Sequence, residues 1–523
     1  MTLPLPRVTY SNVAEDFSGV HAHLDALLPA VRANLLGRTR PNLIAGREDE
    51  DGVRYTAASP INRDWPLGSF FAASSGAVDR AVAAAGAAYP DWSRRPWAER
   101  VAALRRAADR IESQKYEIAC ACLFEVGKSR MEAVGEVEEA IDLIRYYCDE
   151  MAANGGYDRP MRRAFAQEAT RCVLRPHGVF AVIAPFNFPV ALSVAMMTGA
   201  LLGGNTVVYK PSPMAGLTGR LIVDAFVAAG LPPGAVNLVC GGGEVGQTLG
   251  DHPAIAGIAF TGSHAVGMEI LRRMAARAYA RPVIAEMGGK NPAYVTANAD
   301  LDAASSGVMR SAFGLSGQKC SAGSTVFVHD AVADEFLATL VDKTTALKVG
   351  DPQAPDVFVG PVINRAAADR FERAADSVRQ QGRFAAGGEI LTGGIYDKGY
   401  YVAPAIVADL PADHDLHKEE LFLPLLTVRR FGDLAAAIRD GNDVRYGLTA
   451  GIYTRDEGEL RQFLDTAEAG VLYANRASGA TTGAWPGIQT FCGWKGSGVT
   501  AKGGLGPWYV PQFMREHSHT VMG

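Results

Sequence analysis

The sequence predicts an α/β fold built on a parallel, doubly wound sheet, and three observations predict it. From Val179 onward, short apolar runs alternate with longer segments of helical period, the pattern that builds βαβ units. A second alternating region begins just after Cys320. The chain has 523 residues, more than one core supports, and its length suggests about three or four structural units.

The elements follow in order. Residues 1–70 are mixed, with a turn at Asn62-Arg63-Asp64 and little periodicity. Ser75 to Asn154 is helical: Val101, Leu104, Ala108 and Ile111 form one apolar stripe, and Val134, Val137, Ile141 and Ile144 another. Pro90 and Pro96 are expected to break the pattern and Gly127 to stop a helix. Residues 155–175, rich in Arg and Gly, separate this region from the next. Strands are then expected at Val179 to Ala184, Thr206 to Tyr209, Val236 to Val239, Gly257 to Phe260 and Val283 to Ala285. Helices should fill Phe188 to Leu202, Leu217 to Gly230, Val245 to Gly250 and Ala265 to Ala278. Ligands of such sheets bind beyond the strand ends. In the second region, Thr325 to Val328, Tyr401 to Val407 and Leu425 to Phe431 read as strands, with helices at Ala331 to Leu347 and Arg365 to Gln381. A Gly-rich segment, Gly493 to Gly506, closes the chain.

Composition narrows the function classes. A net charge of −5 gives no basic field for nucleic acid. Apolar runs such as Val190 to Leu202 are too short to span a bilayer. Met1 to Asn12 lacks a signal-peptide apolar core. Seven scattered cysteines, with Cys120-Ala121-Cys122 off zinc-ligand spacing, suit reduced thiols in the cytoplasm and no metal site.

The chemistry-bearing segment is Gly317-Gln318-Lys319-Cys320-Ser321-Ala322, a cysteine among small residues beside a cation. Such a setting favours a thiolate. Glu286-Met287-Gly288-Gly289-Lys290-Asn291 adds a carboxylate in front of two glycines, so a nucleophile and a base are both at hand for covalent catalysis. Pro185-Phe186-Asn187-Phe188-Pro189 follows a strand, and the Asn187 amide can either donate to an oxyanion or cap the next helix. Gly241-Gly242-Gly243-Glu244-Val245-Gly246 matches GxGxxG after a strand, although a plain tight turn explains it equally well. Phe260-Thr261-Gly262-Ser263 opens a helix where amides face phosphate oxygens or Ser263 serves as a simple N-cap. Lys210-Pro211-Ser212 ends another strand.

Together these motifs, with Glu419-Glu420-Leu421-Phe422-Leu423-Pro424, resemble the aldehyde dehydrogenase superfamily in order and spacing, from about residue 40 to the C-terminus. The resemblance implies a Rossmann-like NAD-binding domain (1–154 and 176–288), an α/β catalytic domain (289–492) and a small β oligomerisation element (155–175 and 493–523). It makes Cys320 the nucleophile, Glu286 the general base and Asn187 the oxyanion donor. Lys210, Ser212, Gly242, Gly246, Gly262, Ser263, Met287, Glu420 and Phe422 fall where the family holds its dinucleotide. NAD is the expected cofactor. NADP stays open, because Pro213 stands where many members carry the glutamate that grips the adenine ribose.

A narrower resemblance, to the 1-pyrroline-5-carboxylate (glutamate γ-semialdehyde) dehydrogenase group, rests on Ser321, the run Phe124 to Glu132, and Thr482-Gly483-Ala484 with Gly487-Ile488-Gln489. It implies that Ser321, Gly483 and Ala484 hold a substrate carboxylate and that Phe188 lines the substrate site. Trp485-Pro486, Thr490, Cys492 and Leu423 depart from the group's pattern, and Trp485 is expected to narrow or reshape the pocket. The expected partners are a small aldehyde and further copies of the chain, without nucleic acid or membrane. Alternatives are another aldehyde, a CoA-acylating reaction, or a non-catalytic protein on the same fold.

Overall fold

The computed structural model describes residues 5–12, 15–478 and 481–523. Its first large sheet runs, edge to edge, through Val283–Glu286, Ile255–Thr261, Val179–Ile183, Thr206–Lys210, Val236–Leu238, Asn42–Ile44 and Arg47–Asp49. The first five strands are parallel. They are Val- and Ile-rich and buried along most of their length, as strands covered on both faces must be. The Asn42–Asp49 hairpin extends the sheet antiparallel. In chain order the sheet grows from Val179–Ile183 through Thr206–Lys210 to Val236–Leu238. It then restarts on the other side with Ile255–Thr261. That reversal leaves a crevice beyond Ile183 and Thr261. The Asn187 and Ser263 loops begin there.

The helical region carries both predicted stripes inward: Val101, Leu104, Ala108, Ile111, Val134, Val137, Ile141 and Ile144 are all buried. Gly127, at φ 74°, caps the helix Lys115–Val126 as expected. Pro90 does not break the pattern. The helix Ser75–Arg94 runs through it, and buried Trp92, two residues on, donates Nε1–H to Leu201 O at 3.1 Å and holds the last turn in place. Residues 1–70 are more regular than their sequence suggests. They include an 18-residue helix, Ser18–Leu35, that buries only Val20, Leu24, Leu28 and Val31 and contains Pro29. So narrow a stripe is a weak period.

The second sheet runs Arg383–Ala386, Ala405–Ala408, Leu425–Phe431, Gly323–His329, Asn291–Val295, Thr449–Tyr453 and Val471–Ala474. All its pairs are parallel except the first. One of its interior strands, Asn291–Val295, was not expected, since Asn-Pro reads as a turn. The register shifts between Asn291 and Pro292, so the proline sits at a bulge where its missing N–H does no harm. A separate antiparallel ribbon joins Asp158–Pro160, Glu168–Pro176 and Met514–Met522. Among the described residues, no helix is long and apolar enough to cross a membrane.

Candidate active site

The loop that carries Cys320 leaves the helix Leu301–Phe313 through three consecutive residues of positive φ: Leu315 at 48°, Ser316 at 54° and Gly317 at 66°. Neighbouring segments hold this turn. Ser316 Oγ donates to Gly360 O at 2.7 Å, and Gln318 accepts from Ile363 N–H at 2.9 Å while donating to Leu315 O at 3.2 Å. Asn291 fixes the far side. Its amide donates to Cys320 O at 2.7 Å and Ala322 O at 2.8 Å, and its Oδ1 accepts from Thr449 N–H at 3.0 Å. The loop that carries Glu286 therefore also clamps the loop that carries Cys320.

Lys319 does not act as the expected thiolate-stabilising cation. Its ammonium turns to Glu132 Oε1, 2.6 Å away, where the charges neutralise each other. Burial, with Glu420 and Glu286 nearby, pushes the Cys320 thiol up to about 12. The Ser321 and Cys320 backbone N–H groups oppose that shift.

Glu286 ends the strand Val283–Glu286. Its Oε2 is buried without a partner, and burial drives its carboxyl well above the usual range against one opposing hydrogen bond from Gly493 N–H. Asn187 is buried, and its Nδ2 donates to Gln318 O at 3.0 Å, two residues before the thiol. It does not cap the next helix. Glu136 does that, accepting from Val190 N–H at 2.7 Å and Ala191 N–H at 3.2 Å.

Two cavities meet at Cys320. The first is a groove at the sheet crevice that contains Lys210, Ser212, Gly242, Gly262, Ser263, Met287, Glu420 and Phe422, along with Pro213 and Arg370. Lys210 is buried there without a carboxylate. It donates to Pro211 O and Gly241 O at 3.1 and 3.0 Å, and burial lowers it to about 8. Ser263 lines the groove and also caps its helix, accepting from Val266 N–H at 3.5 Å. Glu420 accepts from Gly289 N–H at 2.9 Å, and a side chain at Gly288 would collide with that carboxylate. Gly246 stands beside Lys210, off the groove's wall. Its missing side chain makes room for Lys210, whose Cε would lie 3.1 Å from a Cβ there. A lysine lacking an acid partner and a row of strand-end amides fit a dinucleotide's hydroxyls and phosphates.

The second cavity brings Phe188, Ser321, Gly483 and Ala484 together with Cys320 and Glu286. The Ala484 N–H already donates to Thr482 Oγ1 at 3.1 Å. Trp485 does not line this cavity. Its Nε1–H donates to Asp142 Oδ2 at 2.9 Å, and its ring meets Tyr10 edge-on at 5.5 Å.

The aldehyde dehydrogenase family signature matches residues 47–518. The chain belongs to the aldehyde dehydrogenase family. A 1-pyrroline-5-carboxylate dehydrogenase of Bacillus licheniformis is 34% identical over the whole of both chains. The 1-pyrroline-5-carboxylate dehydrogenase 2 of Bacillus subtilis shows the same identity and coverage. Among solved structures, 1-pyrroline-5-carboxylate dehydrogenase from Thermus with bound NAD is 32% identical over both full chains, with a TM-score of 0.93.

Some residues of this aldehyde dehydrogenase site carry no local sequence signal. Tyr10 and Glu139 line the substrate-side cavity, and Arg370 lines the groove. Lys128 sits 3.6 Å above the Phe188 ring and pairs with Glu136 at 2.5 Å, both side chains fully buried. The only forewarning was the Phe124 to Glu132 run, which contains Lys128.

Proposed function

We propose that the enzyme oxidises L-glutamate γ-semialdehyde, the open form of 1-pyrroline-5-carboxylate, to glutamate with NAD. The carrying observation is the cavity that gathers Ser321, Phe188, Gly483 and Ala484 around Cys320 and Glu286. The full-length likeness to proteins named for 1-pyrroline-5-carboxylate supports the same reading.

NAD, bound in the groove, supplies the hydride acceptor. Lys210, Ser212, Ser263, Glu420 and Phe422 would hold it there. Cys320 Sγ attacks the aldehyde carbon, and the carbonyl electron pair moves onto oxygen. Asn187 Nδ2–H and the Cys320 N–H donate to that oxygen, and losing one such donor costs about 10²–10³ in rate. Glu286, its Oε2 free of protein partners, takes the thiol proton. Loss of hydride from that carbon to the bound acceptor would re-form the C=O and leave a thioester on Cys320. Glu286, having passed the thiol proton to solvent, then takes a proton from water as the water oxygen attacks the acyl carbon. The C–S bond then breaks and the carboxylate leaves. Ser321 Oγ donates to the substrate's α-carboxylate.

The ribbon supports assembly into a homo-oligomer. Met161, Phe165, Val521 and Met522 on or beside it are exposed large apolar side chains, and Met514–Met522 presents an open strand edge. In this reading the ribbon is the oligomerisation element, the two large sheets belong to the NAD-binding and catalytic domains, and the enzyme works in the cytoplasm.

The test is NADH or NADPH formation with glutamate γ-semialdehyde, hexanal and benzaldehyde. Glutamate γ-semialdehyde with NAD should give the highest kcat/KM. Ser321→Ala should raise its KM about tenfold and leave hexanal unaffected. Best turnover on hexanal or benzaldehyde overturns the substrate assignment.

A further inference from the structure

The N-terminal arm reaches the substrate cavity from outside the region matched by the family signature, which begins at residue 47. Tyr10 is the residue that arrives there. Its hydroxyl donates to Glu139 Oε2 at 2.7 Å, and its ring stands edge-on to Phe188 at 6.2 Å and to Trp485 at 5.5 Å. The helix Arg130–Ala153 carries a seat for it. A Cβ on Gly135 would lie 3.4 Å from Tyr10 Cε1 and 3.7 Å from Val8 Cγ1. Arg7 pins the arm to the same helix through Glu138 at 3.2 Å and Asp142 at 2.8 Å, and Asp142 also accepts from Trp485. Fully buried Val8 and the Thr9 N–H to Asn12 Oδ1 bond of 2.7 Å complete the attachment.

Tyr10 also borders a second, polar cavity that contains Arg130, Glu132, Arg310 and Lys319. Tyr10 and Lys319 line both cavities, so the tyrosine ring is part of the partition between them. We propose that residues 5–12 are a specificity element of the active site, in which Tyr10 closes the substrate cavity and excludes aldehydes too long to end before the partition. This deepens the proposed function and rests on it only for the identity of the favoured short substrate. It also gives the departure at Trp485 a task, since that ring braces Tyr10 and does not face the aldehyde.

The experiment measures kcat and KM for NADH formation by the full chain with propanal, decanal and glutamate γ-semialdehyde. Tyr10→Ala merges the two cavities. It should raise the decanal-to-propanal ratio of kcat/KM by about 10- to 200-fold, the discrimination a hydrophobic pocket wall supplies. Tyr10→Phe keeps the ring and should leave that ratio near wild type. A role confined to stability would lower both aldehydes together, and an unchanged ratio in Tyr10→Ala overturns the proposal. If Tyr10→Ala does not fold, Arg7→Ala decides. It loosens the arm from the surface and should shift the ratio in the same direction by about fivefold, whereas no shift overturns the proposal. A wild type that ignores glutamate γ-semialdehyde sinks the substrate assignment alone, because the propanal–decanal ratio still reads the arm.

Discussion

The groove and the substrate cavity share Cys320 but are built in opposite ways. The groove is made of loops that follow successive strands of one sheet, closed by the Glu420–Phe422 turn. Each loop is a run of consecutive residues in which glycine, proline or a hydroxyl does a local job. The cavity instead takes single side chains from the N-terminal arm, the helices Arg130–Ala153 and Ala191–Leu202, and the segments around Thr482 and Leu505. A local turn therefore makes the groove, and long-range packing makes the cavity. Changes in the packed shell should damage the cavity while the groove survives.

The largest effect that separates the two is expected at their junction. Cys320→Ala should lower NADH formation by at least about 10⁴-fold. NAD affinity, followed by calorimetry, should stay close to wild type because the groove loses only a thiol from its wall. Activity within tenfold of wild type would remove Cys320 from the mechanism.

Next comes the buried pair behind Phe188. Glu136→Gln leaves the Lys128 ammonium buried without its carboxylate and weakens the cap on the helix that follows Asn187. Breaking such a pair costs about 3–5 kcal/mol, measurable by urea unfolding. Turnover should fall with it, and NAD affinity should change little. A variant as stable as wild type would show that the pair does not hold this wall.

The smallest effect is on pH. Burial raises both the Cys320 thiol and the Glu286 carboxyl, and the thiol gives its proton to a deprotonated Glu286, so the reactive pair has lost one proton. The kcat/KM should therefore climb between pH 6 and 9, by at most about tenfold per unit for each proton lost. NAD binding should be nearly flat over the same range. A profile that falls as pH rises would contradict these assignments.

The same division explains what was legible in the sequence. Cys320, Glu286 and Asn187 could be singled out because each lies in a short motif whose residues act on one another locally. Their convergence needed the Asn291 clamp, visible only once Asn291–Val295 proved to be an interior strand beside Gly323–His329. Lys319 misled because adjacency in the chain says nothing of direction, and its ammonium left for Glu132. Gly246 leaves room for the Lys210 side chain, a close approach that its motif does not announce. Tyr10 and Glu139 had no signal at all, since 129 positions separate partners that form one hydrogen bond.

The turn before the thiol is wound against the handedness of its own amino acids. Leu315 and Ser316 each carry about 1–2 kcal/mol of chirality strain in that conformation, so the segment behaves as a coiled spring with its catch elsewhere. The catch is the loop of Gly360 and Ile363, some forty residues downstream, which receives Ser316 and Gln318. A slip in that distant loop would be felt first as a displaced sulfur, while the bulk of the protein still melted where it always had.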